Sequence, residues 1–198
     1  MRKVIVTEWM TLDGVVQAPI YPWEDADGGF QHAGWHVPHT ADPTFHQRLV
    51  EIITGADAYL FGRRTYENFA AHWPNTSPEE QVLAEPLNTR PKYVASTTLS
   101  GPLAWHNSTV LQGDVAGAVA ALKRQPGGDL LAIGSTRLVQ TLLEHGLVDE
   151  LRLMIDPVVV GGGKRLFRDD GALRQLRLAD SQVTATGAIL ATYVPANR

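Results

Sequence analysis

Short runs of apolar, β-branched residues alternate along the chain with segments in which apolar residues recur every three or four positions. The first pattern is typical of buried strands and the second of amphipathic helices. Their alternation predicts an α/β domain with a largely parallel sheet. Strands are expected at residues 2–9, 58–61, 92–96, 109–111, 129–133 and 150–155, with an antiparallel pair at 176–184 and 188–194. Helices are expected at residues 45–54, 64–72, 115–124 and 136–145.

Two further features are a helix cap and a long irregular segment. Gly146 follows the last helix and is a typical C-terminal cap. Residues 14–43 have no clear period and are rich in Gly, Pro, Trp and His. A long irregular insert of this kind is usually functional, so we expect it to form a mobile lid over a pocket.

Composition narrows the class of protein. The 198 residues carry 17 Lys plus Arg and 21 Asp plus Glu, a formal net charge of -4, and include no Cys. We expect one domain over residues 1–198, with neither disulfides nor thiolate chemistry, in the cytoplasm. No basic cluster or long apolar segment is present, which argues against nucleic acid and membrane partners.

Two arginines follow a glycine where the strand at residues 58–61 meets a helix. Arg63 and Arg64 lie in the first helical turn, where positive side chains oppose the helix dipole. A bound anion would reverse this effect, and the backbone N–H groups after Gly62, with the Thr65 hydroxyl, suit a nucleotide phosphate. Surface arginines paired with Glu67 or another carboxylate explain the segment equally well, so both interpretations stay open.

A second strand-to-helix junction has the same form at Gly134. An apolar strand ending at Ile133 is followed by one glycine, which allows close backbone approach, and then by the hydroxyls of Ser135 and Thr136. Alone, such hydroxyls more often mean plain helix capping. Two junctions of this kind in one α/β domain favour a dinucleotide, which binds at the carboxyl ends of strands, although the GxGxxG fingerprint is missing.

Other polar residues are weaker candidates. Ser96 and Thr97 end a strand and either bind a 2′-phosphate beside the arginines or shape a turn. Asp13 ends the first strand, where α/β enzymes gather polar groups, or makes an Asp-Gly turn. The sequence also holds four closely spaced histidines, His32, His36, His39 and His46. They lack an accompanying carboxylate pattern, so we expect no metal site.

Several motifs occur in the order found in a known family. They are TLDG at residues 11–14, FGRRTYE at 61–67, IGS at 133–135, and GLVDEL at 146–151 leading into the glycine-rich stretch 157–167. In this order the chain resembles the dihydrofolate reductase-like family, and more closely its branch related to the reductase domain of riboflavin biosynthesis. The resemblance spans nearly the whole chain.

The resemblance implies a three-layer α/β fold with a central mixed, mostly parallel sheet flanked by helices, and NADPH bound across the strand ends. It also implies a role for individual residues. The phosphates would be held by Gly62, Arg63, Arg64 and Thr65, and the 2′-phosphate would lie near Ser96 and Thr97. The pyrophosphate would contact Ile133, Gly134, Ser135 and Thr136. The nicotinamide would lie beside Val16 and Gln17, and the loop containing Trp23 would be the substrate lid.

The chain departs from dihydrofolate reductases at the substrate site. Counting back along the chain places His46 or Gln47 where those enzymes carry the carboxylate that holds the pterin, and only Asp42 and Glu51 are carboxylates nearby. Met154 stands where a later strand would carry a hydroxyl. These departures argue against folate reduction.

The favoured interpretation is therefore an NADPH-dependent reductase of a small, planar C=N or C=O compound, such as a pterin- or pyrimidine-like substrate. Asp13 is the expected catalytic group, orienting the substrate or a proton-delivering water. A dihydrofolate reductase that uses Asp42 or Glu51, and a nucleotide- or ligand-binding protein without turnover, are the alternatives. We also expect a homodimer, because the apolar residues 150–160 offer more surface than one sheet face needs.

Overall fold

The computed structural model describes residues 1–196, in which eight strands and five α-helices alternate. In chain order they are β1 (Val4–Thr11), α1 (Pro43–Thr54), β2 (Ala58–Gly62), α2 (Arg63–His72), α3 (Gln81–Thr89), β3 (Lys92–Ala95), β4 (Ser108–Leu111), α4 (Val115–Arg124), β5 (Leu130–Ile133), α5 (Thr136–Glu144), β6 (Glu150–Asp156), β7 (Leu176–Val183) and β8 (Ile189–Pro195). Single 3-10 turns occupy Asp27–Gly29, Val37–His39, Trp73–Asn75 and Pro78–Glu80. All the predicted strands and helices are present, with ends that differ by up to two residues.

The strands form one sheet in the order β4-β3-β2-β5-β1-β6-β8-β7. The strands from β4 to β6 pair in parallel, and β8 pairs antiparallel with both β6 and β7. This mixed, mostly parallel sheet confirms the expected fold class. Because β2, β5 and β1 are adjacent and parallel, their carboxyl ends meet at one edge of the sheet.

Helices cover both faces of the sheet and give three layers. Val119 of α4 and Leu142 of α5 pack with Val4 and Val6 of β1 on one face. On the other face, α1, α2 and α3 contribute to a second core that contains Ile5 of β1. None of the helices within residues 1–196 is long and apolar enough to cross a membrane.

Helix α3 was not predicted, because it contains Pro86 in its interior. A proline there lacks the N–H for an intrahelical hydrogen bond and normally ends a helix. Leu83 and Leu87 are buried in the second core, and this packing compensates. The buried Lys92 ammonium also donates hydrogen bonds to the carbonyls of Leu87 and Asn88 at 2.8 and 3.2 Å, which satisfies the carboxyl end of the helix.

The helix end at Gly146 forms as expected. Gly146 has a φ of +61°, and its N–H donates to the Leu143 carbonyl at 3.2 Å. The next N–H, from Leu147, reaches back to Leu142 at 2.9 Å. These two bonds are the Schellman arrangement, and they confirm the predicted cap.

The surface first expected to support a dimer is not available. β6 lies inside the sheet between β1 and β8, and Leu151, Leu153 and Met154 are buried in the monomer. The strand is apolar because both of its faces are covered, so that premise for the homodimer is wrong.

Glu8 is a carboxyl group inside the central strand. Its side chain is 6% exposed, and Oε1 has no hydrogen-bond partner. Residues two apart on a strand share a face, so Glu8 lies on the same face as Val6 and Met10, which belong to the core under α4 and α5. Burial raises the pKa of Glu8 to about 8, so the group is mostly protonated at neutral pH.

Replacing Glu8 with Gln should raise the free energy of unfolding at neutral pH. The pKa of Glu8 is higher in the folded than in the unfolded protein, so its contribution to stability is lost as the pH rises from about 4.5 to about 8. By linkage, the raised pKa lowers the free energy of unfolding by about 3 kcal/mol at pH 7, and Glu8→Gln should restore this amount. Urea unfolding at pH 5 and pH 7.5 measures this, with the exposed Glu85→Gln as control. The same pH dependence in both variants would contradict the prediction.

Candidate active site

The two strand-to-helix junctions that the sequence singles out touch each other. β2 and β5 are parallel neighbours, so Gly62 and Ser135 leave the sheet at the same edge. The Gly62 N–H donates to Ser135 Oγ at 2.7 Å, and that hydroxyl donates to Thr65 Oγ1, also at 2.7 Å. One serine hydroxyl therefore links the starts of α2 and α5.

Glycine is required on both sides of this contact. A Cβ at Gly62 would lie 3.0 Å from both Cβ and Oγ of Ser135. Gly134 has a φ of +59°, and a Cβ there would approach Thr65 Oγ1 to 3.5 Å. Ser135 itself has a φ of +69°, a conformation that residues with a side chain rarely adopt. The backbone is thus shaped for close approach of the two junctions.

Neither of the two helices is capped by a side chain at its start. No side-chain bond caps α2 at Gly62 or α5 at Ser135, whereas Asp42 caps α1 and Asp114 caps α4. Plain capping is therefore not the role of the Ser135 hydroxyl. The first N–H groups of α2 and α5 remain available side by side, and such a pair of helix N-termini attracts anions.

The two arginines of the α2 junction have different surroundings. Arg63 makes an exposed ion pair with Glu67 at 2.8 Å, the alternative that the sequence left open. Arg64 instead bonds both oxygens of Asp27, at 2.9 and 3.0 Å, and also pairs with Asp25. Lys164 contacts the same two aspartates. Arg64 and Lys164 together lower the pKa of Asp27 to about 2. These ion pairs hold the irregular segment 14–42 against α2.

Ser96 and Thr97 follow β3 beside the α2 junction. Gly62 and Ala95 are partners in the parallel pairing of β2 and β3, so Ser96 and Arg63 follow at the same level. The Ser96 hydroxyl accepts the backbone N–H of Leu99 at 2.9 Å, which shapes a turn, while Thr97 is exposed.

Val16 and Gln17 lie where residues 14–18 pass beneath the glycine-rich segment. The Gln17 amide donates to the carbonyls of Asp25 and Asp27, and its oxygen accepts the N–H of Lys164 at 3.0 Å. Gln17 therefore organises the loop with its whole side chain. Val16 is buried in the core that includes α5.

Ile133 packs at the end of β5 beside the core on the opposite face, and Thr136 is the half-buried first residue of α5.

Asp13 connects two loops. Its carboxylate accepts from the Thr11 hydroxyl at 2.7 Å and from the N–H groups of Val160 and Gly161 at 3.3 and 3.0 Å, and it lies 3.4 Å from Arg165. Hydrogen bonding, chiefly from Thr11, lowers the pKa of Asp13. These contacts match the turn-forming alternative, and a catalytic role for Asp13 stays a prediction.

The tryptophans of the expected lid have opposite environments. Trp23 is 60% exposed and stacks on Tyr21 with ring centroids 5.0 Å apart. Trp35 is buried, and its indole N–H donates to the Gln17 carbonyl at 2.8 Å. Trp35 thus packs inside the loop, and Trp23 lies on its outer side.

A second group of polar residues lies on the face of the sheet that carries α1. His36 and Asp156 are buried there, with Nδ1 of the histidine 2.7 Å from Oδ2 of the aspartate. Trp9, Phe45 and Met154 surround them with apolar surface. Sequence reasoning missed this group, although an aspartate that ends an apolar strand just before Pro157 was a signal for it.

The residues expected to replace the pterin carboxylate point elsewhere. His46 and Gln47 are exposed on the outer side of α1, and Phe45 is the residue that faces the sheet. That expectation was wrong by one helical position. Asp42 bonds the N–H groups at the start of α1 and that of Ala185, and is therefore structural.

Glu51 is exposed and bonds Gln47 on the same helix at 3.0 Å. Over residues 1–196, no group of three or more histidine, aspartate or glutamate side chains is arranged to hold a metal ion.

Comparison with known proteins is consistent with this architecture. The model of the RibD C-terminal domain family matches residues 2–190. The chain is 28% identical over 197 residues to the uncharacterized protein YyaP of Bacillus subtilis (strain 168), covering 97% of this chain and 94% of that protein.

Two solved structures are similar in fold. One is a Shewanella sp. PV-4 protein provisionally assigned to riboflavin biosynthesis, with a TM-score of 0.67, 22% identity and 98% coverage of each chain. The other is a pyrimidine reductase-like protein of Corynebacterium diphtheriae, with a TM-score of 0.68, 14% identity and coverage of 100% of this chain and 93% of that one. These similarities confirm the fold expected from the sequence motifs.

Proposed function

The chain belongs to the RibD C-terminal domain family, and on that premise we propose that it is an NADPH-dependent reductase of a small, planar C=N or C=O compound. One observation carries the proposal. Two uncapped helix N-termini lie side by side, joined through the Ser135 hydroxyl, at the carboxyl ends of parallel strands. Dinucleotides bind at such places in α/β proteins.

The chain's own groups fit the phosphates of such a cofactor. The N–H groups of residues 63–65 and 136–138 open the two helices and have no side-chain cap to compete with a phosphate oxygen. Gly62 and Gly134 let the two junctions pack closely, because a Cβ at either position would face a side chain of the other junction. Without a fingerprint of spaced glycines, the pyrophosphate would be held between two junctions and not by one loop.

Arg63 is the better candidate for the 2′-phosphate. Its ion pair with Glu67 is exposed on both sides, and such pairs contribute at most about 1 kcal/mol, so exchanging Glu67 for a phosphate costs little. Arg64 is held by two carboxylates of the loop and would stay there. Ser96 and Thr97, at the end of the neighbouring strand, would complete the site.

The cofactor would supply the hydride, and the protein would supply position and a dry pocket. The Thr7 carbonyl accepts the Gly134 N–H at 3.2 Å, so the phosphate junction is joined directly to the middle of β1. The nicotinamide would lie along this part of β1, near Val16. The apolar surface beside Phe45 and Met154 then suits the substrate.

The substrate proposed is a pyrimidine-like heterocycle, in line with the description of the Corynebacterium diphtheriae relative, and not dihydrofolate. Recognition of a protonated pterin depends on a buried carboxylate. Phe45 faces the sheet from α1, Asp42 is already bonded to backbone groups, and the buried Asp156 is paired with His36. Asp13 would take part as a residue that positions the loops around the site.

The proposal extends to location and assembly. The absence of cysteine suits the reducing cytoplasm. A homodimer would form through β7, an edge strand with all of its residues exposed, including Leu178 at 49% and Val183 at 67%. Exposed apolar side chains on an edge strand favour association with a second strand.

NADPH should bind at least about tenfold more tightly than NADH, because a charge-assisted hydrogen bond to a phosphate contributes about 1.5 to 3 kcal/mol. Arg63→Gln should remove most of this preference by weakening NADPH while leaving NADH unchanged. Titration of tryptophan fluorescence measures both dissociation constants. Arg168→Gln, near the far end of α5, is the matched control. Equal affinities for the two cofactors in the wild-type protein would contradict the assignment.

The wild-type protein should oxidise NADPH with at least one member of a panel of pyrimidine derivatives, cyclic imines and small carbonyl compounds. Dihydrofolate should be turned over far below ~10 s⁻¹, a typical enzyme rate. Absorbance at 340 nm follows the reaction. Tight NADPH binding without turnover of any compound would instead identify a binding protein, and rapid reduction of dihydrofolate would identify a folate enzyme.

Light scattering at micromolar concentration should give twice the monomer mass. Leu178→Lys should give the monomer, because it places a charge at the proposed contact, whereas Val82→Lys on the exposed side of α3 should leave the mass unchanged. A monomeric wild-type protein would exclude this part of the proposal.

A further inference from the structure

A histidine oriented by an aspartate lies on the α1 face of the sheet. The side chains of His36 and Asp156 have no exposed surface, and Nδ1 of His36 is 2.7 Å from Oδ2 of Asp156. A carboxylate accepts hydrogen bonds and does not donate them, so Nδ1 carries the hydrogen. Nε2 is therefore the nitrogen that remains for exchange with another molecule.

Aromatic rings fix the orientation of this histidine. Trp9 stacks on the imidazole with centroids 4.6 Å apart and an interplanar angle of 15°. Phe45 lies 4.8 Å away, and Trp35 meets the ring edge-on at 6.0 Å. The arrangement of a ring held in place with one nitrogen on a carboxylate is that of a general acid or base.

Polar atoms around the dyad lack partners. Among the described residues, the buried side-chain atoms without a hydrogen bond include His36 Nε2, His39 Nδ1, Asp156 Oδ1 and Thr7 Oγ1. Thr7 shares a strand face with Trp9, so it lies on the same side of the sheet as the dyad. Each buried unpaired polar atom costs about 1 to 3 kcal/mol. Such a group is explained by a polar molecule that binds among them.

The place is connected to the proposed cofactor site through β1. Gly134 of the phosphate junction bonds the Thr7 carbonyl, and Trp9, two residues farther along the strand, stacks on His36. A substrate beside a nicotinamide on β1 would therefore lie between the cofactor and His36. The reaction needs a proton donor there, and Asp13 is bonded to other loops.

We propose that His36 is the proton donor of the reaction and that Asp156 is its positioning residue; the inference rests on the proposed function. A bound reduced nicotinamide would supply the hydride for the new C–H bond at the carbon of the C=N or C=O group, and the π-bond electrons would move to the nitrogen or oxygen. Nε2 of the His36 imidazolium would give its proton to that atom, which would leave neutral His36 and oxidised cofactor. Asp156 remains a carboxylate throughout and holds Nδ1–H.

Two other ionisable groups lie near His36. His39 on the loop has Nε2 4.0 Å from Asp156, and Glu24 on the same loop interacts with His36 electrostatically. Burial raises the pKa of Glu24. From β1 and α1, the facing groups are the uncharged Trp9 and Phe45.

The test compares His36→Gln with His39→Gln in the full-length protein, using NADPH and the panel compound that the wild type reduces fastest. The glutamine amide can still donate to Asp156, so the loop keeps its anchor while the proton donor is lost. We expect kcat to fall about 100-fold or more in His36→Gln. The dissociation constant of NADPH should change less than twofold. His39→Gln should retain most of its rate.

A measurement without cofactor tests the same assignment. In the wild-type protein with ¹⁵N-labelled histidine, NMR should show that the neutral His36 ring carries its hydrogen on Nδ1. Asp156→Asn should alter these signals, and those of exposed His46 should not change. A neutral ring with its hydrogen on Nε2 would overturn the inference.

The possible outcomes separate the two proposals. A wild-type protein without NADPH binding or turnover contradicts the proposed function, and the role of His36 falls with it. A wild-type protein that turns over, together with His36→Gln at a rate within threefold of it, overturns only the role of His36. In that case the dyad serves as an anchor of the loop.

Discussion

The hydrogen bonds of the Ser135 hydroxyl are the contact on which the site depends. The hydroxyl accepts from Gly62 and donates to Thr65, so it joins two helix starts that are more than seventy residues apart in sequence. A serine at the start of a helix ordinarily caps that helix, and here it bonds the neighbouring junction instead. Both first turns therefore keep their N–H groups unpaired by side chains. This contact therefore places the positive ends of two helix dipoles side by side at one point of the sheet edge.

The loop and the glycine-rich segment form the other half of the site. Gln17 is bonded to both, through Asp25 and Lys164, and Asp13 bonds the backbone at Val160 and Gly161. Gly163 lies against this loop so closely that a Cβ would be 2.9 Å from Val15 Cγ1. Polar residues that the sequence suggests for chemistry thus hold two irregular segments together. The proposed proton transfer instead involves a side chain that the loop buries, His36.

Sequence alone predicted the fold and singled out both strand-to-helix junctions because local patterns encode them. Apolar runs of strand length and helical periodicity located the elements, and glycines at strand ends identified both junctions. Helix α3 was not predicted because Pro86 contradicts local helix preference. Packing of Leu83 and Leu87 and the hydrogen bonds from Lys92 stabilise it. The pair of His36 and Asp156 was not predicted because the two residues are 120 positions apart in sequence and come into contact only in the folded protein. Counting along α1 also failed by one residue, which exchanged buried Phe45 for exposed His46.

The central claim is that the paired starts of α2 and α5 bind the phosphates of NADPH. A crystal structure of the protein with NADPH tests it most directly. The account predicts pyrophosphate oxygens at about 2.7 to 3.2 Å from N–H groups of residues 63–65 and 136–138, with the 2′-phosphate beside Arg63 and the nicotinamide along β1. A nucleotide bound elsewhere on the protein, with both helix starts still free of phosphate, would contradict it.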